Sequence, residues 1–193
     1  MYFFDRLEED ARLVLSRVTR PWSVPAEAVR ESILLQGWTY HDEPLPERHL
    51  CICDAWNKTI LLSPTLVCPK VRNWLLATQL GRIRLQSRGL LKGLHNKPIY
   101  ARNDTNYALA FLLPLSRMKA HPFMAAAPTV DEKTTQTLVD QASDYFQVPA
   151  ICILAAYDFY TGPPSPPEQN PEEGWCSAKF PNPAFWASIW NGP

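Results

Sequence analysis

The amino-acid sequence predicts an α+β domain in which a small antiparallel sheet packs with about five or six helices. Three features indicate this class: helical spacing of apolar residues in several segments, three short β-prone runs between residues 38 and 63, and a final part that is dense in proline. With 193 residues, of which 46% are hydrophobic, the chain can bury the core of one ordinary domain. We expect that domain at residues 1–160 and a Pro-rich aromatic tail at residues 161–193.

Two amphipathic helices are expected at the start of the chain. The apolar residues of segment 3–18 recur on one helical stripe, which consists of Leu7, Ala11, Val14, Leu15 and Val18. A second helix extends to Leu35, because Pro25 is tolerated in a first turn and Gly37 suits the stop after a last turn. Both helices are therefore predicted to pack their apolar stripes on the domain.

Three strands are expected next, at residues 38–42, 49–53 and 59–63. The last two are joined by residues 54–58, a connection of hairpin length that contains Asp54 and Asn57 to form the bend. A small antiparallel sheet is the simplest arrangement of these segments.

The central helix is predicted at residues 70–86. Leu76, Leu80 and Ile83 recur at the spacing of one buried helix face, and no proline interrupts the segment. Later helices are expected at 106–113, capped by Asp104 or Thr105 and extended by another turn at 115–121, from about 131 to 146, and at 150–157, with a connector at 122–128. The last of these is apolar all round, which predicts that it is buried.

The final 33 residues contain eight of the nineteen prolines, a density that excludes regular structure. They also contain aromatic side chains, among them Trp175, Phe185, Trp186 and Trp190. Because free disordered tails are usually poor in aromatics, we expect this tail to cross its own domain or to dock on a partner. Self-association through the tail stays open.

Net charge is zero, but the charges are unevenly distributed. Residues 55–103 contain no Asp or Glu and nine basic residues: Lys58, Lys70, Arg72, Arg82, Arg84, Arg88, Lys92, Lys97 and Arg102. This basic segment either packs beside acidic groups of the same domain or forms a positive surface for phosphate, nucleic acid or an acidic protein. No apolar run of membrane length and no signal peptide is present, so we expect a soluble cytoplasmic protein that binds no membrane.

The five cysteines are odd in number and several lie in apolar runs, which favours reduced thiols over a disulfide framework. Cys51 and Cys53 are followed by Cys68, but no second close pair completes a metal-binding pattern. No two histidines stand four residues apart, and no glycine-rich phosphate loop occurs. The sequence therefore predicts no metal, no cofactor and no catalytic residue.

Taken in order, these elements resemble the ImmA/IrrE family of bacterial zinc metallopeptidases over roughly residues 20–160. The resemblance rests on helix 24–35, the strand 59–63, the central helix with the preceding Arg72, the apolar helix that ends at Pro114, and the closing segment 138–149. It implies a zincin-like fold. It also implies that Ala77-Thr-Gln-Leu-Gly-Arg82 occupies the place of Ala-His-Glu-Leu-Gly-His, the helix that carries the family's zinc-binding motif.

In that family two histidines bind zinc and the glutamate activates water. Here the three positions are Thr78, Gln79 and Arg82, and an arginine offers only donors. The family's third ligand, a glutamate, aligns with Asn103 or Asp104, depending on the register chosen. The resemblance therefore implies a pseudopeptidase.

Two functions follow as alternatives. One is a regulatory or scaffolding protein, of a bacterium or phage, that binds a protein partner such as a transcriptional regulator through the former cleft, where Trp74 and Arg82 share a helix stripe. The other is non-specific nucleic-acid binding through the segment 58–102. The candidate contacts for either surface are Arg72, Trp74, Arg84, Arg88, Lys92, Lys97 and Arg102.

Overall fold

A computed structural model describes residues 3–18, 25–46, 49–87, 99–126 and 131–161. It is an α+β structure, as the sequence predicts. Its described elements, in chain order, are α1 (Phe3–Leu15), α2 (Pro25–Leu35), β1 (Thr39–Asp42), β2 (Cys51–Asp54), β3 (Thr59–Leu62), α3 (Pro69–Ser87), α4 (Ile99–Leu112), α5 (Leu115–Ala120), α6 (Pro122–Ala126), α7 (Glu132–Phe146) and α8 (Ala150–Thr161). The described residues thus contain eight helices where five or six were expected.

The N-terminal helices bury the stripes that their sequences predict. Leu7, Ala11 and Val14 of α1 are buried, as are Val29 and Ile33 of α2. The chain leaves α2 through Gly37, whose φ of 75° lies in the left-handed region that glycine adopts without strain.

The sheet is mixed, so the prediction of an antiparallel sheet is wrong. Its strand order is β1-β3-β2, with β3 antiparallel to β2 and parallel to β1. Ile60 and Leu62 of β3 are fully buried, whereas β1 is largely exposed. The most apolar strand therefore takes the central position, between two strands that precede it in the chain.

The hairpin between β2 and β3 forms as predicted, and Asp54 shapes its turn. One carboxylate oxygen accepts the backbone N–H groups of Trp56 (3.0 Å) and Asn57 (3.1 Å), and the other accepts the Asn57 amide at 2.7 Å. These hydrogen bonds lower the pKa of Asp54, because they stabilise its charged form. The turn is thus fixed by its own side chains.

The helices α3 and α4 cross closely at Gly81. A Cβ atom added there would lie 2.8 Å from the Cβ of Tyr107 and 3.1 Å from the carbonyl oxygen of Asp104. Only glycine permits this approach without displacement of a helix. The crossing places Asp104 and Tyr107 of α4 beside the middle of α3.

Two boundaries in this region differ from the prediction. The helix α4 begins at Ile99, so Asp104 lies inside the helix and does not cap it. Residues 122–126, expected to be a connector, form the short helix α6, because Pro122 suits a first helical position and Phe123 is fully buried.

The closing helix pair is organised by its connection. Asp131 caps α7 by accepting the N–H of Thr134 at 3.0 Å, and Gln147 ends it in the left-handed conformation at φ 56°. The helix α8 runs four residues further than predicted and is mostly buried, although Leu154 is 37% exposed.

None of the described helices combines the length and the hydrophobicity needed to span a bilayer.

Candidate functional site

The three altered motif positions lie in the middle of α3 and differ in their surroundings. Thr78 is half-buried, and its hydroxyl donates to the carbonyl of Trp74 one turn earlier, at 2.9 Å. Gln79 is also half-buried, whereas Arg82 is exposed. The threonine is therefore engaged by its own helix, and the arginine faces solvent.

Arg82 lies beside one strand and one helix. Burial raises the pKa of Cys51 and Cys53 of β2 and of Asp104 of α4, and the guanidinium of Arg82 lies close enough to each group to oppose that rise. None of the described residues forms a hydrogen bond with Arg82. We call these four residues, Cys51, Cys53, Arg82 and Asp104, the Arg82 cluster.

Asp104 is the buried carboxyl group of the Arg82 cluster. It is 6% exposed, and its Oδ1 atom has no hydrogen-bond partner. Burial raises its pKa to about 7, and the positive charge of Arg82 only partly opposes that effect. Asp104 therefore changes its charge close to neutral pH.

A second buried acceptor without a hydrogen bond lies on the neighbouring helix α3. The side-chain oxygen of Gln79 is buried and has no hydrogen-bond partner. Buried polar atoms are usually paired, so Gln79 and Asp104 are each a buried acceptor that lacks a donor. Sequence reasoning identified both positions through the altered motif but gave no sign of this shortage.

A buried polar network lies further along α3. The Nε and Nη2 atoms of Arg84 donate to both carboxylate oxygens of Asp10, at 2.9 and 2.7 Å, and Nη1 donates to Gln36 at 3.0 Å. The Tyr107 hydroxyl donates to Asp10 at 3.0 Å. The network joins α1, α3 and α4 and contains a tyrosine whose pKa is raised, chiefly by burial.

The structure therefore corrects two of the predicted surface contacts. Arg84 is 7% exposed and Trp74 is 2% exposed, so neither can contribute to a binding surface in this fold. The helical spacing placed Trp74 and Arg82 on one stripe, but α3 is covered at residue 74 and open at residue 82. Arg84 was assigned to the surface because nothing local in the sequence showed that Asp10 lies opposite.

Most of the described basic segment is neutralised by acids from other elements. Lys70 forms a 2.6 Å ion pair with Asp144, and Arg72 forms a 2.6 Å ion pair with Asp42. Together with Arg84, these pairs correspond to the alternative in which the segment packs beside acidic groups of the same domain. Their charges are thereby less available for phosphate.

One contact has the appearance of a catalytic pair, namely Lys70 Nζ at 2.8 Å from Ser143 Oγ. The serine is 2% exposed, and its hydroxyl donates to the carbonyl of Val148 at 2.7 Å. The lysine also forms an ion pair with Asp144. The arrangement fastens α3 to the turn before α8 and leaves no activated nucleophile.

Some predicted contacts lie outside the described residues. These are Arg88, Lys92, Lys97 and the tail residues Trp175, Phe185, Trp186 and Trp190, together with the side chains of Arg102 and Asn103.

The residues at the positions aligned with the family's zinc ligands do not fit a zinc ion. Thr78 uses its hydroxyl proton within α3, Arg82 is a cation, and of the aligned positions with a described side chain only Asp104 offers a metal ligand. Among the described residues, no three His, Cys, Asp or Glu side chains converge on a point where a metal ion would be held.

Comparison of the chain with models of protein families and with curated proteins finds no match.

Proposed function

We propose that this chain is a non-catalytic protein of zincin-like, ImmA/IrrE-type architecture that regulates or scaffolds a protein partner through the Arg82 cluster. The observation that carries the proposal is the position of Arg82. Its guanidinium is exposed, donates no hydrogen bond to the described residues, and lies beside a strand at the edge of the sheet. An exposed charge that has no hydrogen-bond partner among the described residues is suited to an acidic side chain of another protein.

The architecture is supported by the packing of α3 on α4. Gly81 allows the close crossing, and the crossing brings Asp104 beside residue 82. In the proposed architecture these correspond to the former ligand positions on two successive helices. Arg82 and the protonatable Asp104 then stand where a metallopeptidase would hold its metal.

The edge strand supplies the second part of the proposed surface. Within the described residues β2 pairs with β3 alone, so its other edge carries backbone groups that an extended peptide can pair with. Main-chain hydrogen bonds would provide affinity, and an acidic side chain at Arg82 would provide selectivity. A transcriptional regulator with an extended acidic segment is the partner we propose.

The experiment is quantitative affinity capture from the native host with the full-length chain. Arg82→Glu reverses the proposed contact, and Lys133→Glu makes the same charge change at an exposed position of α7. We expect one captured protein to be retained by the wild type and by Lys133→Glu, to be lost with Arg82→Glu, and to remain uncleaved after incubation with the purified chain. Equal capture by all three forms, or cleavage of the captured protein, would overturn the proposal.

A further inference from the structure

Two thiols of the Arg82 cluster form a pair with a chemistry of its own. Cys51 and Cys53 are two residues apart on β2, and alternate residues of a strand project from the same face. Both are free thiols, and both are partly buried against the hydrophobic core while remaining partly exposed. Each also lies near the guanidinium of Arg82.

The spacing argues against a disulfide between them. Same-face positions along a strand stand about 6.6 Å apart, since each residue rises about 3.3 Å. A disulfide holds its two Cβ atoms within about 4.5 Å, so its formation would require β2 to buckle. A bridging cation spans a wider gap, because two metal–sulfur bonds of about 2.3 Å in line separate the sulfurs by about 4.6 Å.

We propose that Cys51 and Cys53 bind one soft monovalent cation, Cu(I), through their two thiolates. Thiolate ligands select soft metals, and a two-ligand site does not meet the four-coordinate requirement of structural zinc. The described residues provide no cluster of three metal-ligating side chains at this place, so the bridging pair is a two-coordinate site. This site goes beyond the proposed partner-binding role and does not depend on it.

The charges of the site balance when Arg82 is included. As the two S–Cu bonds form, both S–H protons pass to solvent, and copper remains in the Cu(I) state throughout. Two thiolates and one Cu(I) carry a net charge of −1, which the neighbouring guanidinium offsets while Asp104 is protonated. Burial raises the pKa of Cys51 to about 12 and also raises that of Cys53, to which the charges of Asp104 and Asp54 contribute, so copper must displace bound protons from both thiols.

The test uses the full-length protein under anaerobic, reducing conditions, with Cu(I) supplied in competition with the chelator bicinchoninate. We expect the wild type to retain one Cu(I) per chain, and Cys51→Ser or Cys53→Ser to lose it. The matched control is the double variant Cys68→Ser/Cys176→Ser, which removes two thiols elsewhere in the chain and should bind as the wild type does.

A second variant tests the role of the cation beside the thiols. Arg82→Met should weaken Cu(I) binding by about tenfold or more with unchanged stoichiometry, because the offsetting charge is gone. The proposal is overturned if the folded wild type yields all its copper to the chelator, or if the folded double variant Cys51→Ser/Cys53→Ser retains as much as the wild type. Circular dichroism establishes folding in each case, and copper binding is scored in the absence of any partner, so its outcome is read independently of the capture experiment.

Discussion

Arg84 and Asp10 form a two-bond ion pair between helices that are 74 residues apart in the chain. The two groups are 9% and 8% exposed in their side chains, so their charges are held away from water. Such a pair stabilises a fold mainly by requiring that both partners be present, because either charge alone is costly to bury. The pair fixes α3 against α1 at one register.

Loss of the Arg84 guanidinium should therefore strongly destabilise the folded protein. We expect Arg84→Met to lower the free energy of unfolding by about 3 kcal/mol or more, measured by urea denaturation, because it leaves the Asp10 carboxylate without its opposite charge. Arg72→Met is the control, since the ion pair with the half-exposed Asp42 should be worth no more than about 1 kcal/mol. Equal losses in the two variants would contradict the buried position of Arg84.

The crossing of α3 and α4 should be intolerant of one methyl group. Gly81→Ala places a Cβ atom 2.8 Å from that of Tyr107, and both helices must shift to accommodate it. We expect a loss of roughly 1–3 kcal/mol in the free energy of unfolding, despite the better helix propensity of alanine. Gln86→Ala, at an exposed position of the same helix, should change it by no more than about 0.5 kcal/mol. A stabilised Gly81→Ala variant would show that the helices are not in contact there.

Asp104 should make stability fall as pH rises. Its pKa is raised in the folded state to about 7, so the folded protein binds the proton more tightly than the unfolded chain does. The resulting stabilisation is complete below the ordinary aspartate pKa of about 3.9 and is lost as pH rises through about 7. Asp104→Asn removes this dependence because the amide carries no charge.

We therefore expect the advantage of Asp104→Asn over the wild type to grow between pH 5 and pH 8, reaching roughly 2–4 kcal/mol in urea unfolding. Asp158→Asn, which alters an exposed carboxylate on α8, should show no such trend. An Asp104→Asn advantage that is constant across this pH range would mean that the carboxyl group is not desolvated.

The proposed architecture predicts that zinc binding can be restored. In the triple variant Thr78→His, Gln79→Glu and Arg82→His, two imidazoles would project from one face of α3 toward Asp104. We expect the purified variant to retain about one zinc ion per chain after dialysis, and the wild type to retain less. A folded triple variant that holds no more zinc than the wild type would contradict the zincin-like arrangement. Variants that carry only Thr78→His provide the matched control.

Much of the local structure is encoded in short stretches of sequence. The buried stripe of α1, the stop at Gly37, the Asp54 turn and the long α3 follow from apolar periodicity and turn residues, because these patterns act over a few neighbouring residues. The same kind of evidence placed the altered motif Thr78, Gln79 and Arg82 on one helix. It also left open whether the basic residues are surface groups or paired ones.

Tertiary structure decided what local patterns do not encode. It inserted β3 between β1 and β2, because the most apolar strand gains most from a central position. It covered Trp74, and it buried Arg84 against Asp10 although Arg82 and Gln86, two residues away on either side, are exposed. It also brought Cys51, Cys53 and Asp104 to Arg82, since contacts between distant segments depend on how helices and strands pack and not on their own composition.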